Sequence, residues 1–232
     1  SELKSFVFAS TDGFYTDELA IKVLNKILPN YGYQAEIVNV PRKRSLIESN
    51  KGLLDGELAR VSNIQKISNI KLQNLIKVDV AYSKFQVFAF ATKPHENVHK
   101  WQDFLGFTVV IPRGGITAEK ALKRVLKNNN IVYSKNFEKG LAMLFSGKVD
   151  FLVSGIANGP HLIDKAQLSN KHRYFTHGPF HSADLYFYLH KKHQHLVKPL
   201  EDALLQLKLN GELGKIKQLV REEFNQQGAE SH

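Results

Sequence analysis

The chain has 232 residues, carries a formal net charge of +10 at pH 7 and contains no cysteine. The lack of cysteine excludes disulfides, thiolate metal sites and thiol nucleophiles, and no apolar run approaches the ~20 residues that a membrane-spanning helix needs. The basic residues are scattered, and no basic helix carries interleaved aromatic side chains. The charge therefore predicts a solvated basic surface rather than a nucleic-acid-binding module.

Strand-like and helix-like segments alternate in the N-terminal part of the chain, which is typical of α/β proteins. Residues 5–9 are predicted to form a strand, and the helix that follows ends before Pro29. Residues 35–40 form the second predicted strand. Pro41 begins another helix, at a position where its missing N–H costs nothing, and Gly52 ends that helix.

The junction after this second helix occurs twice in the sequence. In the first copy the helix ends at Gly52, and Asp55 precedes a strand. In the second copy a helix ends at Gly147, and Asp150 precedes a strand. Two copies of helix, glycine, aspartate and strand, separated by about the length of one lobe, predict two α/β lobes of similar topology.

The remaining elements continue the same pattern. Residues 108–111 are predicted to form a strand that leads through the turn at residues 112–115 into a helix at about residues 118–126. An apolar and aromatic strand follows at residues 183–189. Two helices with apolar stripes finish the chain, and Asn210-Gly211 separates them.

Five stretches of the sequence carry a resemblance to a known family. They are SNKGLLDGEL (residues 49–58), LIKVDVAYSKFQVFAF (75–90), WQDFLGFTVVIPRGG (101–115), GLAMLFSGKVDFLVSG (140–155) and the segment at residues 184–219. In their order and spacing these stretches resemble the bacterial extracellular solute-binding proteins of family 3.

The resemblance implies an α/β protein with the two-lobed type II periplasmic-binding fold, in which each lobe is a mixed sheet flanked by helices and two crossover strands join the lobes. Lobe 1 would comprise residues 1–90 and 186–232, lobe 2 residues 91–185, and the ligand cleft would lie between them. The implied function is capture of a small polar ligand by a monomer, without catalysis or a cofactor, for an ABC transporter permease or a sensor kinase. The chain starts at Ser1 without Met or an apolar leader, which is what removal of a signal peptide would leave, and predicts a periplasmic protein.

The resemblance also implies where lobe 1 contacts the ligand. Phe14 and Tyr15 follow the first strand, and Tyr82 precedes the crossover strand, where the family often presents an aromatic ring to the ligand. For Phe14 and Tyr15 the alternative is packing at a helix N-terminus. Arg44, on the helix after Pro41, either points into the cleft or is solvated.

Arg60 is the candidate for binding a ligand carboxylate. It follows Asp55 by five residues, just beyond a strand, and its guanidinium could donate two parallel hydrogen bonds. Amino-acid-binding members of the family use an arginine in this way, but theirs lies further beyond the aspartate. A surface salt bridge is the alternative, and Glu57 on the same strand could be the partner.

In lobe 2 the candidates are Arg113, Gly115, Thr117 and Ser154. Backbone N–H groups at the start of the helix, with the Thr117 hydroxyl, are predicted to bind an anion or a carboxylate, and an ordinary glycine turn is the alternative. Amino-acid-binding members carry an aspartate near the strand end at Ser154, but here the nearest acid is Asp150, which opens the strand. A carboxylate or a modified amino acid is therefore favoured over an ordinary α-amino acid.

Two other functions remain open, and a metal site is not expected. The first is a dehydratase-like enzyme on the same fold, with Glu57 as a general acid. The second is a basic module that binds a polyanion. The histidines at residues 190–195 are expected in a surface turn, and no histidine group has the spacing that a zinc site requires.

Overall fold

The computed structural model of the protein describes residues 2–10, 15–155 and 173–229. The described residues divide into two compact units. Unit 1 comprises the described residues within 1–84 and 184–224, and unit 2 comprises those within 85–183 and from 225 onward.

Unit 1 contains two βα crossovers followed by antiparallel strands. Its elements are β1 (Lys4–Ser10), α1 (Tyr15–Ile27), β2 (Tyr33–Asn39), α2 (Arg42–Asn50), β3 (Gly56–Arg60), α3 (Ile64–Ser68) and β4 (Leu75–Lys77). Strand β1 lies between β2 and β3 and is parallel to both, and β3 and β4 pair antiparallel with the C-terminal part of the long strand β9 (Phe175–His190).

Unit 2 repeats this arrangement. Its elements are β5 (Ser83–Ala91), β6 (Val109–Pro112), α4 (Ile116–Leu122), β7 (Ile131–Ser134), α5 (Phe137–Phe145) and β8 (Phe151–Gly155). Strand β6 lies between β7 and β8 and is parallel to both, and β5 pairs antiparallel with β8. In both units the first parallel strand lies between the second and the third, and an antiparallel strand pairs with the third.

Two strands continue from one unit into the other, because the boundaries of the units fall inside β5 and β9. The chain ends with α6 (Gln194–Leu209) and α7 (Glu212–Ala229). No helix in the described part of the chain is long and apolar enough to cross a membrane.

The sheet of unit 2 is covered on both faces. Val87 and Ala89 of β5 pack into one cluster around Phe151, whereas Phe90 packs into a second cluster with Leu141 of α5. Neighbouring residues of a strand point to opposite faces, so this near-continuous apolar run is what a doubly covered strand requires.

The predicted repeat of helix and glycine is confirmed in the backbone. Gly52 and Gly147 have φ angles of 77° and 76°, in the left-handed region that favours glycine. In the first copy the amide of Leu53 donates to the carbonyl of Glu48 at 3.0 Å, and in the second copy Lys148 donates to Met143 at 3.1 Å. Both helices therefore end in the same Schellman-type cap.

The aspartates of the repeat also have equivalent roles. The Asp55 amide donates to the carbonyl of Val7 at 2.8 Å, and the Val7 amide donates to Oδ2 of Asp55 at 2.7 Å. In unit 2 the Asp150 amide donates to Thr108 at 2.8 Å, and the Thr108 amide donates to Oδ2 of Asp150 at 2.8 Å. Each aspartate thus joins the loop before the third parallel strand to the first parallel strand of its unit.

Three local predictions differ from the structure. Helix α4 ends at Leu122 instead of continuing to residue 126, and the return strand β9 begins at Phe175, earlier than residue 183. The histidines near residue 190 are not all in a surface turn, because His190 and His193 are 8% and 9% exposed. His193 is buried because its ring packs 4.3 Å from that of Phe6 and its Nε2 lies 2.7 Å from Oδ1 of Asp55.

Candidate functional site

The candidate site in unit 1 lies where the parallel strands end. Arg60 is the last residue of β3, and β1 ends at Ser10 just before α1. In open α/β sheets, ligands bind outside the carboxyl ends of the parallel strands. The polar side chains at this edge of unit 1 are therefore candidates for ligand binding.

Glu57 and Arg60 form a buried ion pair at this edge. Glu57 is fully buried and Arg60 is 4% exposed. The guanidinium approaches Oε2 of Glu57 through Nε at 2.7 Å and through a terminal nitrogen at 2.5 Å. The prediction that Glu57 could pair with Arg60 is confirmed, but the pair is internal rather than at the surface.

Two serines of α2 complete the network. Ser45 accepts a hydrogen bond from Arg60 at 2.7 Å and donates one to Oε2 of Glu57 at 3.1 Å. Ser49, one helical turn later, donates to Oε1 of Glu57 at 2.6 Å. Both serines are fully buried. The carboxylate of Glu57 is therefore satisfied by three donors, as burial of a charge requires.

A β-bulge makes this pair possible. Residues three apart in a regular strand point to opposite faces of the sheet. In the pairing of β3 with β9, Glu57 lies opposite Tyr188 and Arg60 lies opposite Tyr186. Three steps along β3 thus match two steps along β9, so β3 contains one extra residue between Glu57 and Arg60. Ala59 has a φ of 50°, in the left-handed region. The bulge thus returns Arg60 to the face that carries Glu57.

Tyr82 presents a buried hydroxyl near the same strand end. It is fully buried, and its ring stacks on that of Phe187 at 4.1 Å with an interplanar angle of 6°. Within the described residues its hydroxyl makes no hydrogen bond, although the backbone of Ala59 lies nearby. Burial, and to a lesser extent the charge of Asp17, raise the pKa of Tyr82 far above its usual range. The side chain is therefore a neutral phenol.

Replacing Tyr82 with phenylalanine is expected to raise the free energy of unfolding by about 1 kcal/mol in the absence of ligand, because a buried unsatisfied hydroxyl is costly. The matched control is Tyr188→Phe, since the Tyr188 hydroxyl donates to the carbonyl of Val61 at 2.8 Å. That change is expected to lower the free energy of unfolding by about 1 kcal/mol. Urea denaturation of both variants measures the difference. A loss of stability in Tyr82→Phe would show that its hydroxyl is satisfied.

Of the other unit 1 candidates, only Arg44 has a described side chain, and it lies apart from this network. The side chain of Arg44 is 71% exposed, and its Nε lies 2.6 Å from Oε1 of Glu48. Phe14 lies outside the described residues, and Tyr15 begins α1, although its side chain is not described. Arg44 therefore fits the predicted solvated alternative in this conformation.

Sequence reasoning missed Asp17 as a site residue. Asp17 and Glu18 both lie in the first turn of α1, where acidic residues complement the helix dipole. Asp17 is buried and its charge acts on Tyr82, whereas Glu18 is exposed. The sequence contains no signal that separates these two neighbours, because the direction of the first helical turn decides which one is buried.

The glycine turn in unit 2 uses its own amides. The amide of Gly115 donates to the carbonyl of Pro112 at 3.1 Å, and that of Ile116 donates to Gly114 at 2.8 Å. Helix α4, which carries Thr117, has seven residues. The turn therefore has fewer amides for an anion than the sequence predicted, while the side chain of the neighbouring Arg113 is exposed.

An aromatic ring lies beside the strand end at Ser154 and Gly155. Ser154 is 7% exposed and lies opposite Phe88 in the pairing of β8 with β5. A Cβ atom added to Gly155 would lie 2.4 Å from Cζ of Phe85. The ring of Phe85 thus fills the space that a side chain at position 155 would need.

The described residues contain no group of three or more His, Cys, Asp or Glu side chains that could hold a metal ion.

Nδ1 of His190 accepts a hydrogen bond from the amide of Lys192 at 3.1 Å. Burial, together with the nearby charges of Lys192 and Lys191, lowers the pKa of His190. His190 therefore uses its ring in a local hydrogen bond to the following turn.

No protein-family model matches the chain. A curated relative, an uncharacterized protein of Shewanella oneidensis, is 24% identical over 222 residues, which are 95% of this chain and 79% of the relative. This identity extends over nearly the whole chain, so both units have counterparts in that protein.

Solved structures share the fold. The GluR0 ligand-binding core in complex with L-glutamate matches with a TM-score of 0.69 at 9% identity, covering 94% of this chain and 97% of its own. The probable amino-acid ABC transporter extracellular-binding protein YtmK from Bacillus subtilis matches with a TM-score of 0.66 at 18% identity, covering 93% and 97%. A histidine kinase sensor domain similar to periplasmic binding proteins matches with a TM-score of 0.64 at 16% identity, covering 93% and 95%. The predicted type II periplasmic-binding fold is confirmed.

Proposed function

We propose that the protein is a periplasmic solute-binding protein that captures a small, polar, carboxylate-bearing ligand for an ABC importer or a sensor. The ligand would bind in a cleft between lobe 1, residues 1–90 and 186–232, and lobe 2, residues 91–185. The proposal is supported by the fold, because its structural neighbours include extracellular binding proteins of amino-acid ABC transporters and a kinase sensor domain.

The observation that carries the proposal is the polar strand end of unit 1. The buried pair of Glu57 and Arg60 lies at the carboxyl end of β3, and beside it lies the buried hydroxyl of Tyr82, which has no hydrogen-bond partner of good geometry among the described residues. A stability-driven core would hold apolar side chains there, since a buried polar group without a partner destabilises the fold. A polar ligand at this edge would supply the missing partner.

The exposed arginines support a carboxylate rather than a neutral ligand. Arg44 and Arg113 are exposed, and a guanidinium binds a carboxylate through two parallel hydrogen bonds. Arg60 has a buried carboxylate partner already, in Glu57, whereas the pair that Arg44 forms with Glu48 lies at the surface, where a ligand carboxylate can replace Glu48 at little cost. Ligand carboxylates are therefore proposed to contact Arg44 or Arg113, with Arg60 contributing through the pair that it forms.

The ligand is proposed to lack an α-ammonium group. No acid replaces the aspartate that amino-acid-binding members carry near Ser154, and Phe85 fills the space beside Gly155. An ammonium group placed against this aromatic edge would have no carboxylate partner in β8 and would lose its hydration. Deaminated carboxylic acids avoid this loss.

The burial of Glu57 does not favour the dehydratase alternative. A general acid has to reach the proton that it transfers. Glu57 is fully buried and accepts hydrogen bonds from Ser45, Ser49 and Arg60, so its oxygens are already occupied. These hydrogen bonds indicate that Glu57 stabilises the fold rather than transfers a proton.

Thermal unfolding against matched ligand pairs tests the proposal. Succinate is compared with aspartate, and glutarate with glutamate, together with sugars and polyamines. A ligand at a hundred times its dissociation constant is expected to add about 2.7 kcal/mol to the free energy of unfolding, and the plain acids are expected to shift the midpoint more than the amino acids. Arg44→Gln is expected to reduce the shift, whereas its neighbour Lys43→Gln is not.

A second arm tests the role of Phe85. The double variant Phe85→Ala/Gly155→Asp is expected to gain a shift with glutamate, because the acid replaces the ring, whereas Gly155→Asp alone is expected to lose stability. If no small ligand shifts the midpoint while heparin or DNA binds in a salt-dependent way, the polyanion alternative replaces the proposal.

A further inference from the structure

Contacts between rings join two segments of unit 2. The first segment precedes β6 and comprises residues 95–107, which we call the loop segment, and the second is the start of β9. The ring centroid of Phe180 lies 4.9 Å from that of Phe104. The ring centroid of His177 lies 6.0 Å from that of His95. Side chains of the loop segment thus hold the start of β9 at two positions.

The imidazole of His177 lies against the core of unit 2. Its ring centroid is 5.9 Å from that of Phe151, which is fully buried, and the ring of His95 is 4.6 Å from the same phenylalanine. Nε2 of His177 is buried and has no hydrogen-bond partner among the described residues. A neutral imidazole can carry its single proton on Nδ1, so that it buries only an acceptor at Nε2. The neutral ring therefore fits this position.

Protonation changes both the charge and the hydrogen bonding of this ring. An imidazolium carries a proton on each nitrogen, so Nε2 of His177 would become a buried donor without an acceptor. Desolvation, followed by the charges of His95 and His99, lowers the pKa of His177 from its ordinary value of 6.5. A histidine whose pKa is lowered by packing binds more protons once the packing is lost, so the packed state loses stability as pH falls below 6.5.

The charges that act on His177 within the described residues are those of two histidines, and they have the same sign as the charge that a proton adds. Two carboxylates on the surrounding elements already accept backbone amides. Oδ2 of Asp103 accepts two amides of the loop segment at 2.9 Å each, and Oδ2 of Asp150, before β8, accepts that of Thr108 at 2.8 Å. The other charged or titratable side chains on these elements in unit 2 are Glu96 and Lys100 of the loop segment and His181 of β9.

We propose that the contact between His177 and His95 is an acid-sensitive switch that holds the start of β9 on the loop segment at neutral pH and releases it in acid. When the ring of His177 leaves Phe151, its charge becomes hydrated and Nε2 donates to water. Strand β9 continues from unit 2 into unit 1, so the switch acts on a connecting strand. The proposal does not depend on the solute-binding function, because none of its residues belongs to the site proposed for the solute.

Hydrogen exchange of the whole chain, followed by mass spectrometry between pH 7.5 and pH 5, tests the switch. The rates are corrected for the pH dependence of exchange in unstructured peptides. In wild type, protection is expected to fall by about tenfold in peptides that cover residues 95–107 and 175–180, the effect of one buried donor without an acceptor. Protection of α5, in the same unit, is expected to change by less than about twofold.

Two variants of His177 remove the titrating group. His177→Phe keeps a ring against Phe151 and cannot bind a proton, and His177→Gln is neutral with a smaller side chain. In both, protection of the two segments is expected to change by less than about twofold over the same pH range. The matched control is His181→Gln, which changes an exposed histidine of the same strand and is expected to retain the tenfold response.

A loss of protection that is confined to the two segments, occurs in wild type and in His181→Gln, and is missing from both His177 variants would support the switch. The proposal is overturned if the protection of wild type does not depend on pH, or if it falls equally throughout unit 2. It is also overturned if His177→Phe and His177→Gln lose as much protection in acid as wild type does.

Discussion

Replacing Arg60 with alanine is expected to lower the free energy of unfolding by about 3–5 kcal/mol, whereas Arg44→Ala is expected to change it by less than about 1 kcal/mol. Removing the guanidinium leaves Glu57 fully buried without its positive partner and removes a donor from Ser45. Arg44 instead lies at the surface beside Glu48. Guanidinium chloride denaturation, with circular dichroism as the probe, measures both changes.

A double variant separates the burial of a lone charge from the loss of packing. Glu57→Gln/Arg60→Met removes both charges and keeps most of the volume, and it is expected to recover a large part of the stability that Arg60→Ala loses. If Arg60→Ala unfolds at the same denaturant concentration as Arg44→Ala, the buried pair is not a structural element. The result also bears on ligand binding, because a loss of binding in Arg60→Ala alone would be confounded by unfolding.

The fold could be predicted from the sequence because its signals are local. Gly52 and Gly147 end helices through left-handed backbone, which few other residues adopt without strain. Asp55 and Asp150 follow at the same distance and bond to the first strand of their units. The spacing of helix end, glycine and aspartate occurs twice and is visible in the residues themselves, so two units of similar topology could be inferred, although the bonds of the aspartates span 48 and 42 residues.

The site could be predicted only in part because its geometry depends on contacts between distant segments. The position of Glu57 and Arg60 on one predicted strand indicates that they could pair, but the bulge at Ala59 that puts both on one face follows from the register with β9. The ring of Phe85 beside Gly155 likewise follows from how β5 pairs with β8. The roles assigned to the ligand-binding residues remain predictions for this reason.

The repeated aspartates allow a comparison inside one molecule. Asp55→Ala is expected to lower the free energy of unfolding by about 3 kcal/mol, and Asp150→Ala by about 1 kcal/mol. Oδ2 of each aspartate accepts one backbone amide, from Val7 or from Thr108. Oδ1 of Asp55 also lies 2.7 Å from Nε2 of His193 and 3.1 Å from Nζ of Lys192. The difference between the two variants isolates these additional contacts, and urea denaturation at pH 7 measures it.

The acid dependence of stability identifies the same contacts by a second route. Burial alone would raise the pKa of Asp55, but the hydrogen bonds from His193, Val7 and Lys192 outweigh it and lower the pKa from 3.8 to about 2. A carboxylate whose pKa is lower in the folded state contributes stability above its unfolded pKa and loses it as pH falls through the folded value. The wild type is therefore expected to lose about 2 kcal/mol between pH 4 and pH 2 through this group.

Asp55→Ala is expected to lack this acid-dependent component, whereas Asp150→Ala is expected to retain it. Denaturation of the three proteins at a series of pH values from 5 to 2 tests this expectation. Equal slopes in all three would mean that Asp55 does not titrate with folding and that its contacts with His193 and Lys192 contribute little. If the free energy of unfolding depends less steeply on pH in Asp55→Ala alone, the contacts of Asp55 with His193 and Lys192 stabilise unit 1. Unit 1 would then add these charged contacts to a motif in which Asp150 of unit 2 accepts only the backbone amide of Thr108.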